Sequence, residues 1–481
     1  MRVLVVLRVV GTLLRYFGLA FIPPALFAVF ERDWTTLLGF VGAGLGSLAL
    51  GTLMARAHGR PERVFRAEAM AIVAGTWIVV AAASAVPYLV AGLGPVDAMF
   101  ESMSGLTTTG ATVFTHFDYP RSLFLWRAET QWIGGLGVIA LFVVVLPRLG
   151  IAGRQLFFAE ASGAPSEGFG AQIRRSATWI WALYAGLTIT CAVALIAVGM
   201  APFDALCNAM ATLSAGGFSP NGESILGYGN PGVEWVLTVF MFLAGASYPL
   251  QLRVVSGELR AFFRDGEFLV YLAVALLAVV LLLVLLAPEG VTGVEALRVT
   301  AFQVTSILSS TGFASLDYNE WQDPAKAVLI FVMVVGGCAG SAAGGPKVIR
   351  HMLVARHIWR EWTLVLHPRA VIPMLHNGKS VSGFVVRSVL ALVLLYFGGY
   401  LGLGLILTIV ETDFVTAFSA SLACMGNIGP GFGVVGPEGT YASFSPFAKT
   451  LLLLAMWVGR LEIITVLALL HPRVWSALRA R

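Results

Sequence analysis

The chain has 481 residues, of which 58% are hydrophobic and only 12% charged, with a mean hydropathy of +0.85. Soluble domains carry about 25% charged residues, so this balance excludes a water-soluble fold and leaves no stretch for a large soluble domain. The net charge of +5 could suggest a nucleic-acid partner, but its arrangement argues against one. The basic residues cluster on one side of the inferred topology, at Arg56–Arg66, Arg148–Arg175, Arg253–Arg264, Lys347–Lys379 and Arg473–Arg481. The opposite loops keep Arg32, Arg121, Lys326 and Lys449 among Asp118, Glu223, Asp317, Glu320 and Asp323. That asymmetry places the N-terminus and the basic clusters in the cytoplasm.

The opening run, MRVLVVLRVVGTLLRYFGLAFIPPALFAVF, has an overlong apolar core containing Arg8 and Arg15 and lacks a small-residue cleavage site, so it reads as a membrane helix and not a signal peptide. Residues 4–54 form two helices around the turn at Arg32 and Asp33, and 1–67 is a two-helix preamble. One plan then repeats over 68–150, 151–262, 263–350 and 351–481, the last with a cytosolic linker and C-terminal tail. Each repeat has a long apolar helix, a shorter half-polar helix, a Gly/Ser/Thr loop, an outer loop and a second long helix. The fold class is an all-α polytopic membrane protein with four helix–re-entrant loop–helix repeats around a central pore.

The half-polar segments run from an acid into glycine: Asp97 to Gly110, Asp204 to Gly217, Glu295 to Gly312 and Asp413 to Gly429, intervals of 13, 13, 17 and 16 residues. Three to four helical turns fit each interval. A glycine signature follows in each second long helix, at Trp132–Gly135, Phe242–Gly245, Val335–Gly337 and Trp457–Gly459. Close helix packing through small residues would account for one such loop, but not for four behind half-length helices with acidic starts.

A helix too short to span leaves its last carbonyls without intrahelical partners inside the membrane. Non-helical backbone persists there only where protein, water or ions meet it. Each acid complements the positive end of its helix, so the negative end points inward and favours a cation. Glycine allows successive carbonyls to face the axis. The candidate cation ligands are the backbones of Thr108, Thr109, Gly110, Ala215, Gly216, Gly217, Ser310, Thr311, Gly312, Asn427, Ile428 and Gly429. Gly217 is preferred to Gly216 as the second centre because Phe218 follows it as Phe313 follows Gly312.

In the third repeat, FVMVVGGCAGSAAGGPKVIRH holds five glycines and Pro346 and should break the helix within the membrane. Arg460 lies in the last long helix, where an unpaired charge costs about 3 kcal/mol, so it should face the pore, a salt bridge or a carbonyl. Glu462, two positions on, should face roughly the opposite way. Arg127 and Glu129 should pair with neighbouring helices. Cys191, Cys207, Cys338 and Cys424 read as packing residues, and His351, His357 and His367 have no metal-ligand spacing. There is no nucleophile, phosphate loop or metal cluster, so an enzyme is not expected.

The loops TTGATVF, LSAGGFS, SSTGFAS and CMGNIGPGFG resemble the four pore loops of the Trk/Ktr/HKT potassium transporters. The preamble, the GGCAGS stretch at 336–341 and the ending MWVGRLEIITVLALLHPRVW are most similar to the bacterial TrkH/TrkG branch. The resemblance implies a pseudo-fourfold potassium filter in the inner membrane, a homodimer and lipid contact. It also implies a cytosolic TrkA-like ring, binding NAD or ATP/ADP on that partner alone, and the cytosolic segments 346–381 and 147–176 are the expected docking surface for such a partner. Glycine at position 110 favours potassium, since relatives with serine there favour sodium. The resemblance further implies a gate at Gly336, Gly337, Gly340, Ser341, Gly344, Gly345 and Lys347, with Arg460 beneath the filter. A flexible packing kink also fits 336–345, and the same architecture suits a sodium-permeable or proton-coupled transporter.

Overall fold

The structure, a computed structural model, describes residues 2–57, 65–140, 169–289, 292–411 and 413–472. The helix Val3–Phe17 passes through one tight turn into Ile22–Glu31, and together they make a 29-residue span. Arg32 closes it in the left-handed conformation, and Asp33 caps the next helix, Trp34–Ala55, by accepting from the Thr35 and Thr36 amides. This pair of spans lies near the N-terminus. Its first residues are tied to the body by the buried carboxylate of Glu68, which accepts from the Arg2 amide and guanidinium at 2.9 Å.

Six helices are long and apolar enough to cross a membrane among the described residues, and two bent helix pairs bring the number of possible spans to eight. The chain is therefore a multi-pass membrane protein. Between the spans lie the half-length helices Pro95–Leu106, Pro202–Leu213, Gly293–Leu308 and Phe414–Met425. Asp97, Asp204 and Glu295 stand in their first turns, and Asp413 caps the fourth by accepting from the Thr416 amide. Burial is heaviest on these short helices, which pack inside a shell of longer ones whose lipid-facing Leu, Val and Ile are exposed.

The second long helices differ from the expected regular spans. Arg121–Ala140 is unbroken over its described length. Pro231–Gly245 turns by 106° into Tyr248–Val255, and Pro446–Arg460 turns by 110° into Ile463–Leu470. The first bend begins where Pro249 starts a new helix, and Gln251 Nε2 reaches back to the carbonyls of Leu243 (2.7 Å) and Ala246 (3.1 Å). The second has no proline; Glu462 takes φ 65° and redirects the chain. In the third repeat, Asp323–Val335 stops at Gly336 (φ 69°) as anticipated, and Val348–Leu366 begins after a non-helical stretch. A two-residue hairpin, Leu375–His376 paired with Lys379–Ser380, follows through an Asn377-Gly378 turn. Of the docking segments expected, most of 147–176 lies outside the described residues, as do the basic residues 473–481.

Candidate functional site: four loops and the segment beneath them

All four half-length helices end in the same way. The residue past the last turn is left-handed without being glycine: Thr108 (φ 51°), Ala215 (56°), Ser310 (56°) and Asn427 (51°). The following amides fold back onto the helix at 2.8 Å each, Thr109 to Ser104, Gly216 to Ala211, Thr311 to Ser306 and Ile428 to Ala423. This is the Schellman closure, normally built on glycine. Holding a non-glycine residue left-handed costs about 1–2 kcal/mol, so the surrounding packing maintains the same strain in four places.

Two residues later each chain is left-handed again, at Gly110 (φ 82°), Gly217 (76°), Gly312 (81°) and Gly429 (99°). Gly216 has no such φ, so the backbone equivalent of the other three is Gly217. The four glycines also close a ring. A Cβ on Gly110 would run into the carbonyl oxygen of Gly216, one on Gly217 into that of Thr311, one on Gly312 into that of Ile428 and one on Gly429 into that of Thr109. Every glycine thus abuts the residue that precedes the next glycine around the circle. At this level no side chain fits between loops, and only backbone can line the opening.

On one side of the ring lies a cavity of about 900 Å³ including its open mouth, lined by all four glycines together with Phe218 and Tyr441. Side chains brace the loops from behind. Gln131 donates from Nε2 to the Gly216 carbonyl (2.6 Å) and accepts from the Phe218 amide (3.1 Å). Tyr441 donates to the Gly429 carbonyl (2.8 Å), and Asn427 Nδ2 donates to Thr109 Oγ1 (3.0 Å) across the first and fourth loops. Arg127 forms a buried ion pair with Glu101 (2.7 Å) and stacks on Phe218, its charge 3.9 Å from the ring centre. Glu101 in turn accepts from the Val113 amide (3.0 Å). The expected pairing of Arg127 is met, whereas Glu129 differs: its buried Oε2 has no hydrogen-bond partner among the described residues.

On the other side of the ring the segment 336–347 packs against the third and fourth short helices. The Gly344 amide donates to Ser310 Oγ (2.6 Å), and a Cβ on Gly344 would strike the Gly426 carbonyl. The segment is tied to the helix that follows it by the buried carboxylate of Glu267, on the helix Gly266–Leu286, whose Oε1 accepts from the amides of Ala339 (2.6 Å) and Ile349 (3.2 Å). The Cys338 amide donates to the Gly245 carbonyl (2.9 Å), and the Gly340 carbonyl accepts from the Tyr248 amide (3.1 Å). Ser341 Oγ donates to the Cys338 carbonyl (2.7 Å), and Lys347 Nζ to that of Ala343 (2.6 Å). Gly336, Gly337 and Gly345 complete the segment.

Arg460 is 3% exposed and donates from Nη1 to the Ala342 carbonyl (2.9 Å). Of the partners considered for it, the structure gives the carbonyl, and that carbonyl belongs to the intramembrane segment. Its Nε and Nη2 have no protein partner among the described residues, and Arg460 lines a second, small cavity of about 30 Å³ with Lys347, Arg350, Asn427 and Glu462. Glu462 does not face away from Arg460 as helical spacing suggested. The helix ends at Arg460, so the turn brings Glu462 to the same cavity, where it pairs with Arg350.

Sequence reasoning missed Gln131, Tyr441 and Glu267. The signal available for Gln131 and Glu267 was a polar side chain within or at the start of a membrane helix. Tyr441 carries none in the sequence. Among the described residues the four cysteines are buried and free, and no group of His, Cys, Asp or Glu could hold a metal. His351 instead meets the Val334 carbonyl (3.1 Å).

Comparison with known proteins agrees with this geometry over nearly the whole chain. The family model described as TrkH, cation transport protein, matches residues 43–475. The Trk system potassium uptake protein TrkH of Halomonas elongata is 35% identical over 98% of each chain, and that of Escherichia coli K12 33% identical over 97% of this chain and 98% of its own. The crystal structure of the potassium transporter TrkH from Vibrio parahaemolyticus superposes with a TM-score of 0.89 at 31% identity, covering 99% of this chain and 100% of that one. With four re-entrant loops on one ring and this likeness from end to end, the chain belongs to the TrkH family of cation transport proteins, within the Trk/Ktr/HKT superfamily.

Proposed function

We propose that this protein takes up potassium across the bacterial inner membrane through a filter made of the backbone carbonyls at 108–110, 215–217, 310–312 and 427–429. One observation carries the reading: the ring in which each loop's glycine abuts a carbonyl of the next, leaving an opening walled by backbone alone. Carbonyl oxygens replace the hydration shell of a dehydrated monovalent cation, and the four C-terminal helix ends add a negative field. No bond is made or broken, so no catalytic residue is required. Glycine at all four centres favours potassium, and the transport named for the relatives agrees.

The segment 336–347 is the gate in this reading, closing the path below the ring, with Arg460 bonded to it as a fixed positive charge. The protein works as a homodimer with its N-terminus in the cytoplasm, and a TrkA-like cytosolic ring that binds NAD or ATP/ADP regulates it through 346–381 and 147–176. Tracer flux through the purified protein in liposomes tests the reading. Potassium should pass in preference to sodium, with the ratio the same at acidic and alkaline pH. Equal sodium flux, or proton movement coupled to the cation, would replace it with a sodium-permeable or proton-coupled mode.

A further inference from the structure

The second loop is held from a helix position that the other three do not use, and the contact sits at the ring. Gln131 is fully buried in the helix Arg121–Ala140 of the first repeat, and its amide spans the second loop's central glycine. Nε2 donates to the carbonyl before Gly217 and Oε1 accepts from the amide after it. That carbonyl, Gly216 O, is the one Gly110 abuts. At the corresponding place, four residues before the glycine of each second long helix, the other repeats carry Met241, Met333 and Ala455, none of which can donate to a carbonyl.

The geometry points to Gln131 as a positioning residue for ion discrimination; the inference rests on the potassium-filter reading. A carbonyl free to tilt closes on a smaller ion and lowers the barrier against sodium; a carbonyl fixed from behind by a buried amide does not. The same contact explains the double glycine of this loop. Gly217 is required by its φ and by the ring. Gly216 is required by Gln131, because a Cβ there would overlap the amide carbon and approach Oε1 at 2.6 Å and Nε2 at 2.8 Å.

Two substitutions test this through one readout, the potassium-to-sodium permeability ratio of the full-length protein in liposomes. Gln131→Met keeps length and volume, and matches the residue the second and third repeats use, but removes both hydrogen bonds. Gly216→Ala leaves Gln131 in place and displaces its amide. Each should lower the ratio by about threefold or more, the scale of one buried hydrogen bond. The double variant should be no worse than the more severe single one, because both act through the same contact. An unchanged ratio in a folded Gln131→Met protein overturns the assignment. If that variant does not fold, an unchanged ratio in Gly216→Ala does so. Fully additive losses would also overturn it, by showing independent effects. A wild-type protein with no potassium preference would instead defeat the filter reading beneath it.

Discussion

The ring and the segment beneath it are built on opposite principles. The ring is made four times from backbone, with matching left-handed residues, matching 2.8 Å closures and no charged side chain between loops. The segment 336–347 is made once, and three charged residues hold it: Glu267 on the Ala339 and Ile349 amides, Arg460 on the Ala342 carbonyl, and Lys347 on its own turn. Choosing among ions needs equal ligands on every side, which repetition supplies. If 336–347 is the gate, as proposed, it must move while the ligands stay, which a single unrepeated element can do.

The sharpest way to break that comparison is to damage the ring at one quarter. Gly217→Ala forces a left-handed alanine, costing about 1–2 kcal/mol, and drives a Cβ into the Thr311 carbonyl. Potassium flux should fall by more than about a hundredfold, roughly 3 kcal/mol. Gly312→Ala should do the same against the Ile428 carbonyl. If one repeat tolerated alanine at wild-type flux, the four quarters would not be equivalent.

The segment should respond in the other direction. Arg460→Ala removes the bond to Ala342 and a buried positive charge, and should raise potassium flux by about tenfold, the scale of a charged hydrogen bond of about 1.5 kcal/mol. The potassium-to-sodium ratio should stay put, because the ring is untouched. Lower flux from a correctly folded variant would mean that Arg460 supports the path instead of limiting it.

How much of this was legible in the sequence follows the same division. Spans, short helices and glycine centres could be read because repetition makes a weak local signal strong; the acid-to-glycine interval recurs four times. The bend after Arg460 could not be read, because no proline marks it and only the turn at Glu462 and its pairing with Arg350 impose it. The bend before Tyr248 had a sign in Pro249 that a long hydrophobic run obscured. Gln131 and Glu267 were hidden for another reason. Their partners lie 85 and 72 residues away in the chain, and no local periodicity encodes a contact across that separation.

Glu267 offers a finer test of how the segment is held. Glu267→Ala leaves the Ala339 and Ile349 amides without their acceptor, and should raise flux by about fivefold, near 1 kcal/mol. Glu267→Gln keeps an acceptor oxygen and should fall between. Hydrogen exchange at those two amides should quicken in the alanine variant while the amides of Thr109, Gly216, Thr311 and Ile428 stay protected. Equal loosening of the ring would show that the two regions are not mechanically separate.

The smallest effect should come from Ser310, where the two regions touch. Its backbone belongs to the ring as a left-handed residue, while its Oγ accepts the Gly344 amide of the segment. The equivalent positions carry Thr108, Ala215 and Asn427, so alanine is already tolerated in this conformation by the second loop. Ser310→Ala therefore removes the link without altering the ring's backbone, and costs about 1 kcal/mol or less in the closed state. Flux should rise by about two- to threefold, with the permeability ratio unchanged. A fall in that ratio would carry the opposite lesson: the segment would be shaping the ring through Oγ, and discrimination and gating would share a single contact.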